Sequence, residues 1–268
     1  MSSATIPPFP LSWRTVSLGT KCLSAGALTL FVGLVLLPLA VALQFYLLGE
    51  RYAAQELRGR GIPDATVLAA LFILAAGLML WLAGLCLCAL APAESGARPF
   101  ALAAAACCIL GVLAALQTSL LPVIGFTPVS SRVVIEQRNP TAVTTVNEIA
   151  FGASAGILAF AGGILMTCFL GAVATHFRNV GVLRQVHRLL IGQLAGMALL
   201  VLIGFGYLYT AAAWRDAGPW LVAPFLAAAL IGLGLGCRAL LSVLAALRSM
   251  LAIAEENAQA LETAPASE

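Results

Sequence analysis

Charge is scarce in this chain. Of its 268 residues 9% are Asp, Glu, Lys or Arg, against roughly 25% in an ordinary soluble domain. With 62% apolar residues and a mean hydropathy of +1.03, that scarcity excludes a soluble globular protein and leaves an integral membrane protein. Lys21 is the only lysine, so there is no glycine-rich phosphate loop ending in a lysine. Asp64 and Asp216 are the only aspartates and both fall between apolar runs. No serine inside a run has a histidine to serve it, which argues against intramembrane hydrolysis. The two histidines, His176 and His187, sit at or beyond the ends of apolar runs, so a haem held between two spans lacks its simplest ligands. The middle of each run also lacks the acid or base that ion-coupled transporters and pumps place at depth. A net charge of +3 from singly scattered basic residues excludes nucleic acid as a partner.

What is present is apolar sequence in long runs. A hydrocarbon core about 30 Å thick needs about 20 helical residues to cross it. Six runs qualify, at 22–48, 65–91, 99–122, 149–175, 189–213 and 218–238. The first is far longer than the roughly 7–15 residues of a signal-peptide core and no A-x-A pattern follows it, so it is read as retained. Ahead of it, residues 1–21 read as a flexible, proline-containing N-terminus and a short interfacial helix anchored by Trp13, Arg14 and Lys21. Pro38 lies within the first run, where it removes a backbone donor. Pro92 to Pro99 form a tight turn that makes spans two and three an antiparallel hairpin. In the polar segment 127–148, Val133–Ile135 and Val143–Val146 flank Arg138-Asn139-Pro140 and predict two short extended pieces around a turn. After Arg238, Leu240, Val243, Leu244, Leu247 and Leu251 repeat at helical spacing, so 239–268 reads as an amphipathic helix with an acidic tail.

Six spans put both termini on one side. That side carries Arg14, Lys21, Arg98, Arg178, Arg184, Arg188, Arg238 and Arg248, and the other carries Arg51, Arg58, Arg60, Arg132, Arg138 and Arg215. Eight basic residues against six place the termini in the cytoplasm. All seven cysteines fall in the half of their spans nearer this surface. Cys86-x-Cys88 and Cys107-Cys108 match no ligand spacing, and residues two apart on a helix point in different directions. The cysteines are therefore read as reduced, small apolar residues, with no metal and no cofactor.

Two groups of residues stand out as candidates for contact. Arg184, His187 and Arg188 share one face of the helix entering span five. Cations near a helix N-terminus oppose its dipole, so they point to anionic lipid headgroups or an acidic partner. Gly162 and Gly163 in span four, and Gly192 and Gly196 at GxxxG spacing in span five, are small residues of the kind that let helices approach in lipid. On that ground spans four to six are expected to bundle closely. Gln44, Gln117, Gln193 and Thr118-Ser119 are the main polar groups at depth and are read as helix bridges.

The turn LCLCALAPAESGAR and the segment FLGAVATHFRNVGVLRQVHRLLI resemble uncharacterised multi-pass membrane proteins common in planctomycete bacteria. Thr175-His176 departs from the more basic residues expected there. The resemblance implies a bacterial membrane protein and brings no catalytic residues with it. The expectation is thus an all-α integral membrane bundle of six transmembrane helices with a cytoplasmic helical extension at the C-terminus. It sits in a bacterial inner membrane and is a non-enzymatic scaffold or accessory subunit. Its partners are the lipid bilayer and another membrane protein or a second copy of itself. A facilitator or channel for a small neutral solute is the alternative.

Overall fold

The computed structural model describes residues 11–59, 65–119, 140–213 and 222–263. It describes side chains over 11–40, 65–115, 154–202 and 227–260, apart from 67, 200 and 229. Among them are six α-helices and no strand. They are α1 (Leu11–Gly59), α2 (Ala65–Cys88), α3 (Arg98–Ser119), α4 (Pro140–His176), α5 (Val180–Ala213) and α6 (Val222–Thr263). A single 3-10 turn, Ala93–Ser95, lies between α2 and α3. Five helices hold a stretch long and apolar enough to cross a membrane: Leu11–Ala40, Leu68–Cys88, Arg98–Ala115, Ser154–His176 and Leu230–Ala260. They support a multi-pass membrane protein. The described part of α5, whose first turns carry Arg184 and Arg188, is not among the five.

Each helix packs against its neighbours in the chain, and α6 returns to α1. The paired contacts run in opposite directions along every seam that they define. Gly19 meets Gly84 while Gly33 meets Leu74, and Gly162 meets Ala104 while Gly111 meets Leu158. Likewise Arg14 pairs with Glu255 at 2.8 Å, whereas Phe31 lies under Gly234. An antiparallel ring closes only with an even number of helices, which brings the start of α1 and the last turns of α6 to the same end.

That end holds the core. Trp13, Val16 and Leu23 of α1, Leu85 and Cys88 of α2, Ala101 and Ala104 of α3, Met166, Phe169, Leu170 and Val173 of α4, Val182, Val186 and Leu189 of α5, and Val243, Leu244, Leu247 and Leu251 of α6 form one buried cluster. Further along the helices large apolar side chains face outward, among them Phe72 (77% exposed), Met79, Leu202 and Ile231. So much bare apolar surface is untenable in water and is what lipid contact requires.

The closest seam is α1 against α2. A Cβ on Gly26 would lie 2.7 Å from the Trp81 backbone nitrogen, one on Gly77 2.8 Å from that of Leu30, and one on Gly84 2.8 Å from that of Leu23. Gly19, Gly26 and Gly33 recur every seven residues, as do Gly77 and Gly84, so glycine returns to the same seam every two turns. The intimate pairs are α1–α2 and α3–α4 rather than pairs within α4–α6. Seven residues apart, Gly19, Gly26 and Gly33 carry no GxxxG signature in the sequence.

Four helices, α1, α4, α5 and α6, are longer than their apolar runs. Residues 11–21 are the first turns of α1 rather than a separate helix, and Trp13, Val16 and Thr20 among them are buried. The chain stays helical through Pro38. Val143–Val146, expected to be extended, lies in α4. Pro140 occupies the first helical position, where a missing N–H costs nothing, and the β-branched preference for strand is too weak to resist the helix it opens. Residues 127–139, including Val133–Ile135, lie outside the described residues.

Candidate functional site

The α4–α5 connection is three residues, Phe177-Arg178-Asn179, following Thr175 and His176 at the end of α4. The Asn179 N–H donates to Ala174 O at 3.0 Å and the Arg178 N–H to Thr175 O at 2.9 Å, the paired bonds of a Schellman end. Arg178 takes the left-handed conformation, φ 52°, at the position where glycine is usual. Asn179 then caps the next helix: its Oδ1 accepts the Val182 N–H at 3.1 Å, and its carbonyl accepts the Leu183 N–H. One asparagine thus closes α4 and opens α5, which makes the turn short and sets the two helices side by side.

The turn is held from below by α1. Trp13 is 4% exposed and stands against Phe177 edge-on at 4.8 Å between ring centroids and against His176 at 5.2 Å. His176 is therefore part of an aromatic clasp between the start of α1 and the end of α4. The sequence placed Trp13 at the lipid interface; its burial here comes from the helix it begins rather than from a membrane surface.

Beyond the turn α5 has two faces. Val182, Val186 and Leu189 are buried against the core, and Leu183, Arg184, His187 and Arg188 are exposed. Between α4 and α5 runs an open-sided groove of about 490 Å³, walled by Thr167, Cys168 and Gly171 from α4 and by Val180, Leu183, Val186 and Leu190 from α5, with Arg184 and His187 on its rim. The groove therefore takes up two of the three cationic-face residues singled out in the sequence, and Arg188 is not in its lining. The α4 wall had no signal in the sequence, since Thr167, Cys168 and Gly171 read as ordinary span residues.

The floor of the same interface carries a polar bridge. The Thr167 hydroxyl lies 2.9 Å from Gln193 Oε1 and 3.0 Å from Gly163 O. Its single proton serves one at a time or is shared. Gln193 Nε2 lies 3.5 Å from Gly163 O. Gln193 is thus engaged between α5 and α4. Gln44 and Gln117 fall outside the described side chains.

The glycines divide sharply. Around Gly162 a Cβ would stand 3.5 Å from Ala104 O and Cys107 Cβ, and around Gly163 3.7 Å from Gln193 Nε2. At Gly192 and Gly196, and at Gly232 and Gly236 of α6, it would meet nothing within 4 Å among the described residues. The seven cysteines are all free, and no three His, Cys, Asp or Glu among the described residues lie close enough to hold a metal ion. Cys237 reaches across to α1, its Sγ 3.8 Å from Ala27 O.

The chain was compared with protein families, with curated proteins and with solved structures, and none of the three comparisons gives a match.

Proposed function

We propose that this protein is a non-enzymatic scaffold or accessory subunit of a membrane complex, and that its partner packs on the outer surfaces of α5 and α6. One observation carries the reading. Where α1 meets α2, glycine lets two backbones touch and no space remains; on α5 and α6, a Cβ added at the spaced pairs Gly192/Gly196 and Gly232/Gly236 would meet none of the described residues within 4 Å. In lipid there is no hydrophobic force to bring helices together, so close backbone approach at small residues is a principal source of association. Glycine in a helix costs about 1 kcal/mol relative to alanine, and four uncovered glycines on adjacent helices keep that cost without the compensating contact. A partner helix would supply it.

Both termini lie in the cytoplasm of a bacterial cell on this reading. The end of the bundle shared by the start of α1 and the last turns of α6 also carries Arg14, Lys21, Arg98, Arg178, Arg184, Arg188 and Arg248, in keeping with the excess of positive charge on cytoplasmic faces. The facilitator alternative requires a free polar path, and the engagement of Gln193 with Thr167 and Gly163 removes one candidate group from it.

Replacing Gly192 and Gly196 together by leucine tests the proposal. The substituted chain should fold and insert, because there is open space at both positions, and should lose the second protein, or the second copy, that the wild type carries through purification in mild detergent. Undiminished co-purification would overturn the α5 surface as the contact.

A further inference from the structure

The groove between α4 and α5 has walls and a rim of different chemistry. Its walls are almost wholly apolar, and its rim carries Arg184 and His187. A volume of about 490 Å³ is in the range of small-molecule sites, which combine an apolar lining with a few polar groups. From Val180 to Leu190 the α5 wall runs about 15 Å along the helix, so its occupant is elongated. The lining contains no acidic residue, and Glu255, at this end of the bundle, is already paired with Arg14. Arg184 and Arg188 are also four residues apart on an exposed helix face, a like-charge spacing that destabilises a helix. The occupant is therefore an anion with an apolar body.

Position selects its source. Thr167, Cys168 and Gly171 belong to the stretch Ser154–His176, which is apolar and long enough to cross a membrane, and α5 runs back beside it from the turn, so that Arg184 and His187 stand alongside its last turns with Leu190 deeper. The groove descends from a charged surface into the lipid region and is open at its side, where bilayer lipid enters without passing through water. We propose that it binds an anionic phospholipid of the surrounding leaflet, with the phosphate against Arg184 and His187 and an acyl chain over Val186 and Leu190 on the apolar wall. The proposal needs the helices to be in a bilayer and is independent of the association through Gly192 and Gly196.

The test uses the full chain reconstituted in vesicles of phosphatidylcholine containing a minor fraction of phosphatidylglycerol, then released into mild detergent for native mass spectrometry. Phosphatidylglycerol should be retained in preference to phosphatidylcholine. Arg184→Gln, on an exposed side chain that leaves folding intact, should weaken that retention about fivefold, the worth of one basic residue near an anionic surface. Cys168→Trp, which fills the groove, should weaken retention of the lipid without removing any charge. Arg178→Gln, on the exposed turn outside the lining, should leave it unchanged. Equal retention of the two lipids would overturn the proposal. So would an equal loss in Arg178→Gln, since it would make the effect one of general surface charge. Displacement of the lipid by inorganic phosphate at matched ionic strength would overturn the apolar seat. Loss of an acidic protein with Arg184→Gln, the lipid being retained, would give the site to a different partner.

Discussion

Gly26 and Gly192 are both glycines within apolar helices, and the structure assigns them opposite responses to the same methyl group. At Gly26 an added Cβ lies 2.7 Å from the Trp81 backbone nitrogen and 3.0 Å from both Trp81 Cα and Gly77 O. Normal contact between such atoms is near 3.5 Å or more, so α1 must retreat from α2 by about 0.8 Å. The atoms it strikes are backbone and cannot swing aside. A gap of 0.5–1 Å forfeits roughly a quarter to a half of each dispersion contact, and Gly19, Gly33, Gly77 and Gly84 lie on the same seam. Gly26→Ala should destabilise the protein by about 1–3 kcal/mol, as overpacking does. At Gly192 the methyl meets nothing within 4 Å, so Gly192→Ala should be neutral or stabilising by up to about 1 kcal/mol through helix propensity. Thermal unfolding in mild detergent, followed by tryptophan fluorescence, reads both, with Trp81 on the seam itself. Equal melting of Gly26→Ala and the wild type, or an equal fall in both variants, would refute the account of the seam.

Three further substitutions test the packed end. Trp13→Ala removes a buried ring from the clasp with His176 and Phe177 and should cost about 3–5 kcal/mol, with faster hydrogen exchange at the start of α1; unchanged exchange would mean that the clasp holds nothing. Arg178→Gly should stabilise by about 1 kcal/mol by relieving the left-handed conformation of a residue with a Cβ, while Asn179→Ala should destabilise by about 1 kcal/mol by removing the cap; shifts of the same sign in melting temperature would contradict the turn geometry. Gln193→Leu should cost about 0.6 kcal/mol in the same melt, because the Thr167 hydroxyl keeps Gly163 O as an acceptor; a larger loss would show that the bridge governs the α4–α5 interface.

The helical class and the positions of the apolar runs were legible because span length and absence of charge are properties of the chain itself. The bounds were less so. Trp13 and Arg14 looked interfacial, yet the helix they open continues into the first run, and their neighbours there come from α4 and α6, far away in sequence. Val143–Val146 has the β-branched composition of a strand, and the helix that Pro140 starts overrides that local preference. The rim of the groove was visible in Arg184 and His187, since charge at the edge of an apolar run stands out. Its α4 wall was not, because Thr167, Cys168 and Gly171 acquire a role only when α5 lies beside them. The glycines show the same division. Spacing of four marked Gly192 and Gly196 as small surfaces, but which surfaces are filled within the chain depends on which helices are neighbours, and the seven-residue recurrence at Gly19, Gly26 and Gly33 gives that information only once α2 is known to carry the matching pair.

The mass and composition of the particle released from native membranes by mild detergent test the central claim most directly. The account predicts a stoichiometric second chain, of another protein or of this one, that is lost when Gly192 and Gly196 are replaced by leucine. A particle that contains one copy of this chain and no other protein would contradict it.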